Sequence, residues 1–261
     1  MGELLIEQRT ERADRIALHL AERVRAAPVV NEPYQHFYVE GAFPDDVYRE
    51  MRASMPARDA YKPLNLKRWK NAEGVSTRDR LDLSHGEIER IPESIRQIWA
   101  DVTVALRARE VQQAMYAKTP EDIALRMKCP VDRVLEQPSY PSVLLVRDFE
   151  DYQLKPHPDG GSRVVTAMYY LADEDSPTDL GTSIYRENKS LLARVTGKRF
   201  EEVGRFPFLP NSLGVFVVNE GPERISWHGR ELITGSNVVR DSIIVSYLND
   251  NRPDYASKHQ Y

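Results

Sequence analysis

Arg163-Val164-Val165-Thr166-Ala167-Met168-Tyr169-Tyr170-Leu171 decides the fold. β-Branched and aromatic residues fill it, the composition that suits a pleated strand. Three runs of the same kind surround it. They are Val143-Leu144-Leu145-Val146 within 142–147, Leu213-Gly214-Val215-Phe216-Val217-Val218 within 212–219, and Ile243-Ile244-Val245-Ser246-Tyr247 within 240–248. Turn residues separate the runs, and most intervals hold no helix-length periodic segment. Antiparallel sheets follow, closed as a sandwich or barrel of the jelly-roll kind.

Toward the N-terminus the pattern changes. Residues 3–26 set Leu5, Ile6, Ile16, Leu20 and Val24 among charges at helical spacing. Between Pro28, Pro33 and Pro44, the run Gln35-His36-Phe37-Tyr38-Val39 alternates like a strand. Asp45 to Met55 reads as a short helix opened by acids, which suit its positive end. A strand is expected around Leu81-Asp82-Leu83. One long helix is expected from Pro92 to Lys118, and Thr119-Pro120 restarts a helix with an N-cap and a proline at its first position. The expected class is α+β with a mainly β core. Residues 131–261 form the jelly roll and 1–130 a helical support packed on one sheet, within a single domain, since no Gly/Ser/Pro-rich linker divides them.

The chain has 261 residues, 41% hydrophobic and 29% charged, a size that buries its own core without staples. Cys129 is the single cysteine, so no intrachain disulfide forms and a reducing compartment is expected. The formal charge is −4, and no run of like charge reaches five residues. This disfavours nucleic acid and membrane surfaces as partners. No apolar run approaches the ~18 residues of a membrane span, and Met1-Gly2-Glu3-Leu4-Leu5-Ile6-Glu7 carries neither a signal peptide nor a myristoylation pattern. A cytoplasmic protein is expected, its oligomeric state open, with a homodimer among the options.

His157-Pro158-Asp159 lies between the expected strands 142–147 and 163–171, where Pro156 and Pro158 deny a helix. A His-x-acid triplet alone is weak, since His85-Gly86-Glu87 has the same form and reads as a solvated loop. Context distinguishes the first. His228 follows 71 residues after His157, between the last two strands, and Arg240 twelve residues later. Two imidazoles and one carboxylate on one face of ferrous iron leave three coordination positions open. Arg240 and Ser242 are two apart on a strand and share a face. They offer a guanidinium fork and a hydroxyl to a carboxylate.

From about 140 to 250 the chain resembles the Fe(II)- and 2-oxoglutarate-dependent oxygenases of the prolyl 4-hydroxylase-like superfamily. The likeness rests on His-x-Asp, the strand 163–171, the segment Leu180-Gly181-Thr182-Ser183-Ile184-Tyr185, Pro210-Asn211-Ser212-Leu213, the distal histidine and Arg-x-Ser, all in order. Pro33 to Val39 with Ala42-Phe43-Pro44 adds to it. The resemblance implies a double-stranded β-helix with iron in its mouth. Its ligands would be His157, Asp159 and His228. Arg240, assisted by Ser242 and Tyr170, would hold the C5 carboxylate of 2-oxoglutarate. Thr166, Met168 and Tyr170 would line one inward face.

The implied reaction consumes dioxygen and 2-oxoglutarate, releases succinate and carbon dioxide, and hydroxylates a C–H bond. The expected substrate is a small molecule, an amino acid or natural-product intermediate. The alternatives are a protein side chain or a cupin-like binding module without turnover. Arg147 stands where relatives often place a cosubstrate tyrosine, and is a candidate for the substrate's carboxylate instead. Trp227 is a candidate pocket wall. Arg78 and Arg80 alternate toward one side and suit an anionic group. Residues 231–237 are expected to form a loop beside the site. Asp159, present where related halogenases carry Gly or Ala, predicts hydroxylation and not halogenation.

Overall fold

The computed structural model describes residues 9–83, 87–190, 193, 199–222, 224–235 and 238–250. Helix α1 (Glu11–Ala26) is capped by Thr10, whose hydroxyl accepts from the Ala13 N–H at 3.0 Å, and it buries Ile16, Leu20 and Val24. Strands β1 (Val29–Val30) and β2 (His36–Glu40), helix α2 (Asp45–Ala53), and strands β3 (Lys62–Pro63) and β4 (Arg78–Asp82) follow. The single helix expected over 92–118 is instead two, α3 (Glu93–Leu106) and α4 (Arg109–Lys118). They part at Arg107 and Ala108, where Ala108 turns extended with neither glycine nor proline to announce the break. Helix α5 (Pro120–Met127) begins on its proline as expected. The Thr119 hydroxyl, however, donates back to the Met115 carbonyl at 3.0 Å and caps nothing.

The jelly roll is built from β5 (Tyr140–Asp148), β6 (Leu154–His157), β7 (Arg163–Tyr170), β8 (Thr182–Glu187), β9 (Phe200–Phe206), β10 (Ser212–Val217), β11 (His228–Arg230) and β12 (Arg240–Leu248). The chain crosses repeatedly between two antiparallel sheets. The larger runs β1-β2-β10-β7-β12-β5-β4-β3 and the smaller β6-β11-β8-β9. This is a double-stranded β-helix. The region 1–130 does more than the helical support expected of it. Strand β2 extends the larger sheet beside β10, and β4 extends it beside β5.

Alternation splits the long strands of the larger sheet between two cores. Val143 and Leu145, Val165, Ala167 and Tyr169, and Ile243, Val245 and Tyr247 face the helices and join Ile16, Leu20, Trp99 and Val111 in one cluster. On the opposite face, Met168, Tyr170 and Phe216 meet Ile184 and Phe206 of the smaller sheet in a second. Both faces are covered, which is why these strands read as near-continuous apolar runs. At Gly181 a Cβ would lie 1.7 Å from the Phe206 carbonyl oxygen, so glycine alone lets β8 begin this close to the end of β9. No helix among the described residues is long and apolar enough to cross a membrane. His85 and Gly86 lie outside the described residues.

Candidate metal centre and cosubstrate pocket

His157 ends β6 and His228 opens β11, and the antiparallel register sets the two directly opposite. Pairing of neighbouring strands thus joins residues far apart in sequence, with ring centroids 4.3 Å apart. Asp159 follows across Pro158. Its carboxylate oxygens lie 4.0 Å from His157 Nε2 and 3.9 Å from His228 Nε2. One ligand atom from each of the three residues lies within 4.8 Å of the others, a group that could hold a metal ion. The register shifts just after His228, at Gly229, where a Cβ would stand 2.6 Å from the Leu154 carbonyl oxygen.

Both imidazoles are aimed by the backbone. His157 Nδ1 is 3.0 Å from the Lys155 carbonyl and His228 Nδ1 is 2.9 Å from that of Ser226. A carbonyl only accepts, so each Nδ1 carries the proton and each Nε2 keeps its lone pair for a ligand. The Phe216 ring lies 4.3 Å from that of His228. Burial and the neighbouring His228 push His157 down to about 4, and burial lowers His228 as well. Burial alone would raise Asp159, but Arg163 and the two imidazoles hold it well below the usual carboxylate range. Arg163 Nη1 donates to its Oδ1 at 2.9 Å and Thr166 Oγ1 to its Oδ2 at 2.7 Å. At neutral pH the site therefore offers two neutral imidazoles and one carboxylate, the protonation state that a divalent ion requires. This mixed nitrogen and oxygen set fits ferrous iron.

The same pocket has a cationic end. The Arg240 side chain is only 3% exposed, donating from Nη1 to Asp148 Oδ2 and from Nε to the Leu180 carbonyl, both at 2.7 Å. Its guanidinium carbon lies 5.2 Å from the centre of the Tyr170 ring. The Tyr170 hydroxyl donates to Thr182 Oγ1 at 2.8 Å. Ser242 takes the next inward position on β12, in register with Tyr170. Arg230, two residues beyond His228, is buried, and burial together with Arg240 pushes it down to about 10. Ser242 Oγ, Arg230 Nε and the Tyr152 hydroxyl are buried without hydrogen-bond partners among the described residues. Burial pushes the Tyr152 hydroxyl up, while Arg78, Arg240 and Arg230 all act to lower it. Unspent donors beside guanidiniums fit a buried carboxylate.

No protein-family model matches the chain, and no curated protein matches it. Solved structures do. The dioxygenase for auxin oxidation 1 from Arabidopsis thaliana, solved with 2-oxoglutarate, aligns with a TM-score of 0.51 and 13% identity over 90% of this chain and 88% of that one. The chain shares that fold. A prolyl-4-hydroxylase from Pseudomonas putida aligns at a TM-score of 0.48 and 13% identity, over 89% of this chain and 99% of that one. The carbocyclase SnoK of nogalamycin biosynthesis aligns at 0.48 and 12%, over 93% and 85%.

The four remaining residues expected at the site divide evenly. Arg78 and Arg80 both line the pocket, as the alternation on β4 predicts. Arg78 is spent on Asp148, with Nε at 2.5 Å and Nη2 at 2.9 Å from its two oxygens, and it lies over the Tyr152 ring. Arg147 is not in the pocket. It sits on the opposite face of β5, paired with Asp241 at 2.7 Å and lying over Tyr61. Trp227 is not there either. One residue before His228 on an extended chain, it points the other way and packs against Phe200, ring centroids 4.7 Å apart. The loop after β11 is present. Ile233 is buried and exchanges backbone hydrogen bonds with Asp151 and Tyr152, which seats Tyr152 beside the pocket. Ser236 and Asn237 lie outside the described residues.

Asp148, Tyr152 and Arg163 were not singled out from sequence. Asp148 owes its place to strand register, opposite Arg78 on one side and Arg240 on the other. Arg163 carries a readable signal, four residues after Asp159 at the start of a strand. So does Arg230, which shares the face of His228.

Proposed function

We propose that the chain is an Fe(II)- and 2-oxoglutarate-dependent dioxygenase, working as one domain, that hydroxylates an unactivated C–H bond of a small molecule, an amino acid or natural-product intermediate. One observation carries this reading. A three-residue ligand group and a buried arginine end open into the same pocket. His157, Asp159 and His228 hold the iron, and Arg240 with Ser242 and Tyr170 receives the distal carboxylate of 2-oxoglutarate. When bound, iron with 2-oxoglutarate and dioxygen supplies the oxidising chemistry, with succinate and carbon dioxide as coproducts.

The protein's own contribution is positional. Lys155 and Ser226 fix the imidazole tautomers, Thr166 and Arg163 fix the carboxylate, and Asp148 orients the Arg240 fork. Leu64, Leu144, Val146 and Ile244 give the pocket apolar walls that exclude water from the reacting carbon. Asp159 would supply a carboxylate ligand to the iron where a halide would otherwise have room to bind, so the expected product gains one oxygen and no halogen. The test is iron-dependent succinate formation from 2-oxoglutarate under oxygen, with His228→Ala as control. Succinate that requires iron and is lost in the variant supports the reading. Tight binding of iron and 2-oxoglutarate with no succinate, even with substrate libraries, would make the chain a binding module.

A further inference from the structure

Five guanidiniums line or end in this pocket: Arg78, Arg80, Arg163, Arg230 and Arg240. Two carboxylates answer them. Asp148 is shared by Arg78 and Arg240, and Asp159 takes Arg163. Among these residues three positive charges are left over, and Asp82, on the same face of β4, has an interaction of its own. On the reading proposed above, a ferrous ion and a 2-oxoglutarate dianion enter together and cancel, so the excess persists in the loaded site. A second anion is called for.

Arg80 is placed to receive it. Arg230 and Arg240 are 5% and 3% exposed and belong to the deep end. Arg80 is half-buried, and among the described residues it makes no hydrogen bond and no ion pair. On β4 it stands opposite Val146, one inward position along from the Arg78–Asp148 pair. The pocket walls on that side, Leu64, Leu144, Val146 and Ile244, are apolar. Lys62, opposite Arg80 on β3, is paired with Glu87. Among the described residues Arg80 is therefore the uncommitted cation beside these apolar walls, and it matches one negative charge on an otherwise apolar body. A dianionic phosphate would ask for further donors, which these walls lack.

We infer that the primary substrate is an organic monocarboxylate with an apolar body, its carboxylate held by Arg80 and its body against Leu64, Leu144 and Ile244. This rests on the 2-oxoglutarate reading and is separable from it by experiment. The iron- and 2-oxoglutarate-loaded protein is titrated without oxygen against hexanoate, octanoate and 3-phenylpropionate, each beside its primary amide, by ligand-observed NMR. Binding of 2-oxoglutarate is measured separately by calorimetry. Carboxylates should bind at least about tenfold more tightly than their amides, the worth of one charged hydrogen-bond pair. Arg80→Gln should erase that preference while its melting temperature and 2-oxoglutarate affinity stay at wild-type values, and Arg80→Lys should retain part of it. Absence of any preference, a preference that survives Arg80→Gln, or displacement of 2-oxoglutarate by the carboxylates would each overturn the inference. Failure to bind 2-oxoglutarate at all would instead remove the reading on which it stands.

Discussion

The two faces of the larger sheet are made by the same strands and do opposite work. On β12, Ile243, Val245 and Tyr247 enter the core shared with the helices, while Arg240, Ser242 and Ser246 face the barrel interior. The outer face carries little charge, Arg147 paired with Asp241 and Arg52 near it. Its unpartnered buried atoms, such as the Tyr61 and Tyr169 hydroxyls and Arg52 Nε, are scattered through or around the apolar core. The inner face keeps guanidiniums and hydroxyls with donors unspent, which costs roughly 1–3 kcal/mol for each buried group left unpaired. The outer face carries the larger apolar cluster, while on the inner face the unspent donors converge on one pocket, where a bound ligand would pair them. A change of side chain should therefore act on stability or on binding according to its face.

The largest effect belongs to the ligands. His157→Ala or His228→Ala should abolish stoichiometric iron, measured by metal analysis after gel filtration, with the thermal transition of the metal-free protein retained. Unfolding of these variants would make the histidines structural and erase the division between faces. Next, Arg240→Ala should weaken 2-oxoglutarate binding by about 2–5 kcal/mol, because the carboxylate is left beside an empty buried position. Calorimetry reads this, and iron occupancy should not change. On the outer face Ile243→Ala or Leu145→Ala should lower unfolding free energy by about 2–5 kcal/mol while the folded fraction binds 2-oxoglutarate normally.

A smaller effect follows from His157. Its depressed folded-state value of about 4 lies below the unfolded 6.5, so the unfolded chain binds the extra proton first. Stability of the metal-free protein should be fully present above pH 6.5 and fall as pH drops toward 4, by on the order of 3 kcal/mol at most. Denaturant melts across that range should flatten in His157→Asn. The smallest effect is expected of Arg147→Gln, which should leave 2-oxoglutarate affinity within about twofold, since the residue faces away from the pocket. A large loss there would bring Arg147 back to the site.

The four long strands of the larger sheet were legible because coverage on both faces gives them unbroken apolar runs. The smaller sheet was not. Strand β11 spans three residues, β6 contains Pro156, and β9 carries Glu201 and Glu202 in an exposed stretch. The metal group was legible because His157-Pro158-Asp159 and His228 each adjoin a strand. The charge arrangement behind it was not, since Asp148 meets Arg78 and Arg240 only through cross-strand register. Trp227 was misdirected by adjacency, because the neighbour of an inward residue on an extended chain points outward. The same alternation, applied to Arg78 and Arg80, brought both to the pocket.

The central claim is that one pocket joins an iron site to a carboxylate site. Anaerobic titration of 2-oxoglutarate into the iron-loaded protein, followed by its visible charge-transfer absorption, tests both halves at once. The account predicts a band that saturates at one 2-oxoglutarate per chain, is absent in His228→Ala, and appears in Arg240→Ala only at much higher 2-oxoglutarate. No band in the iron-loaded wild type, or a band unchanged in either variant, would contradict it.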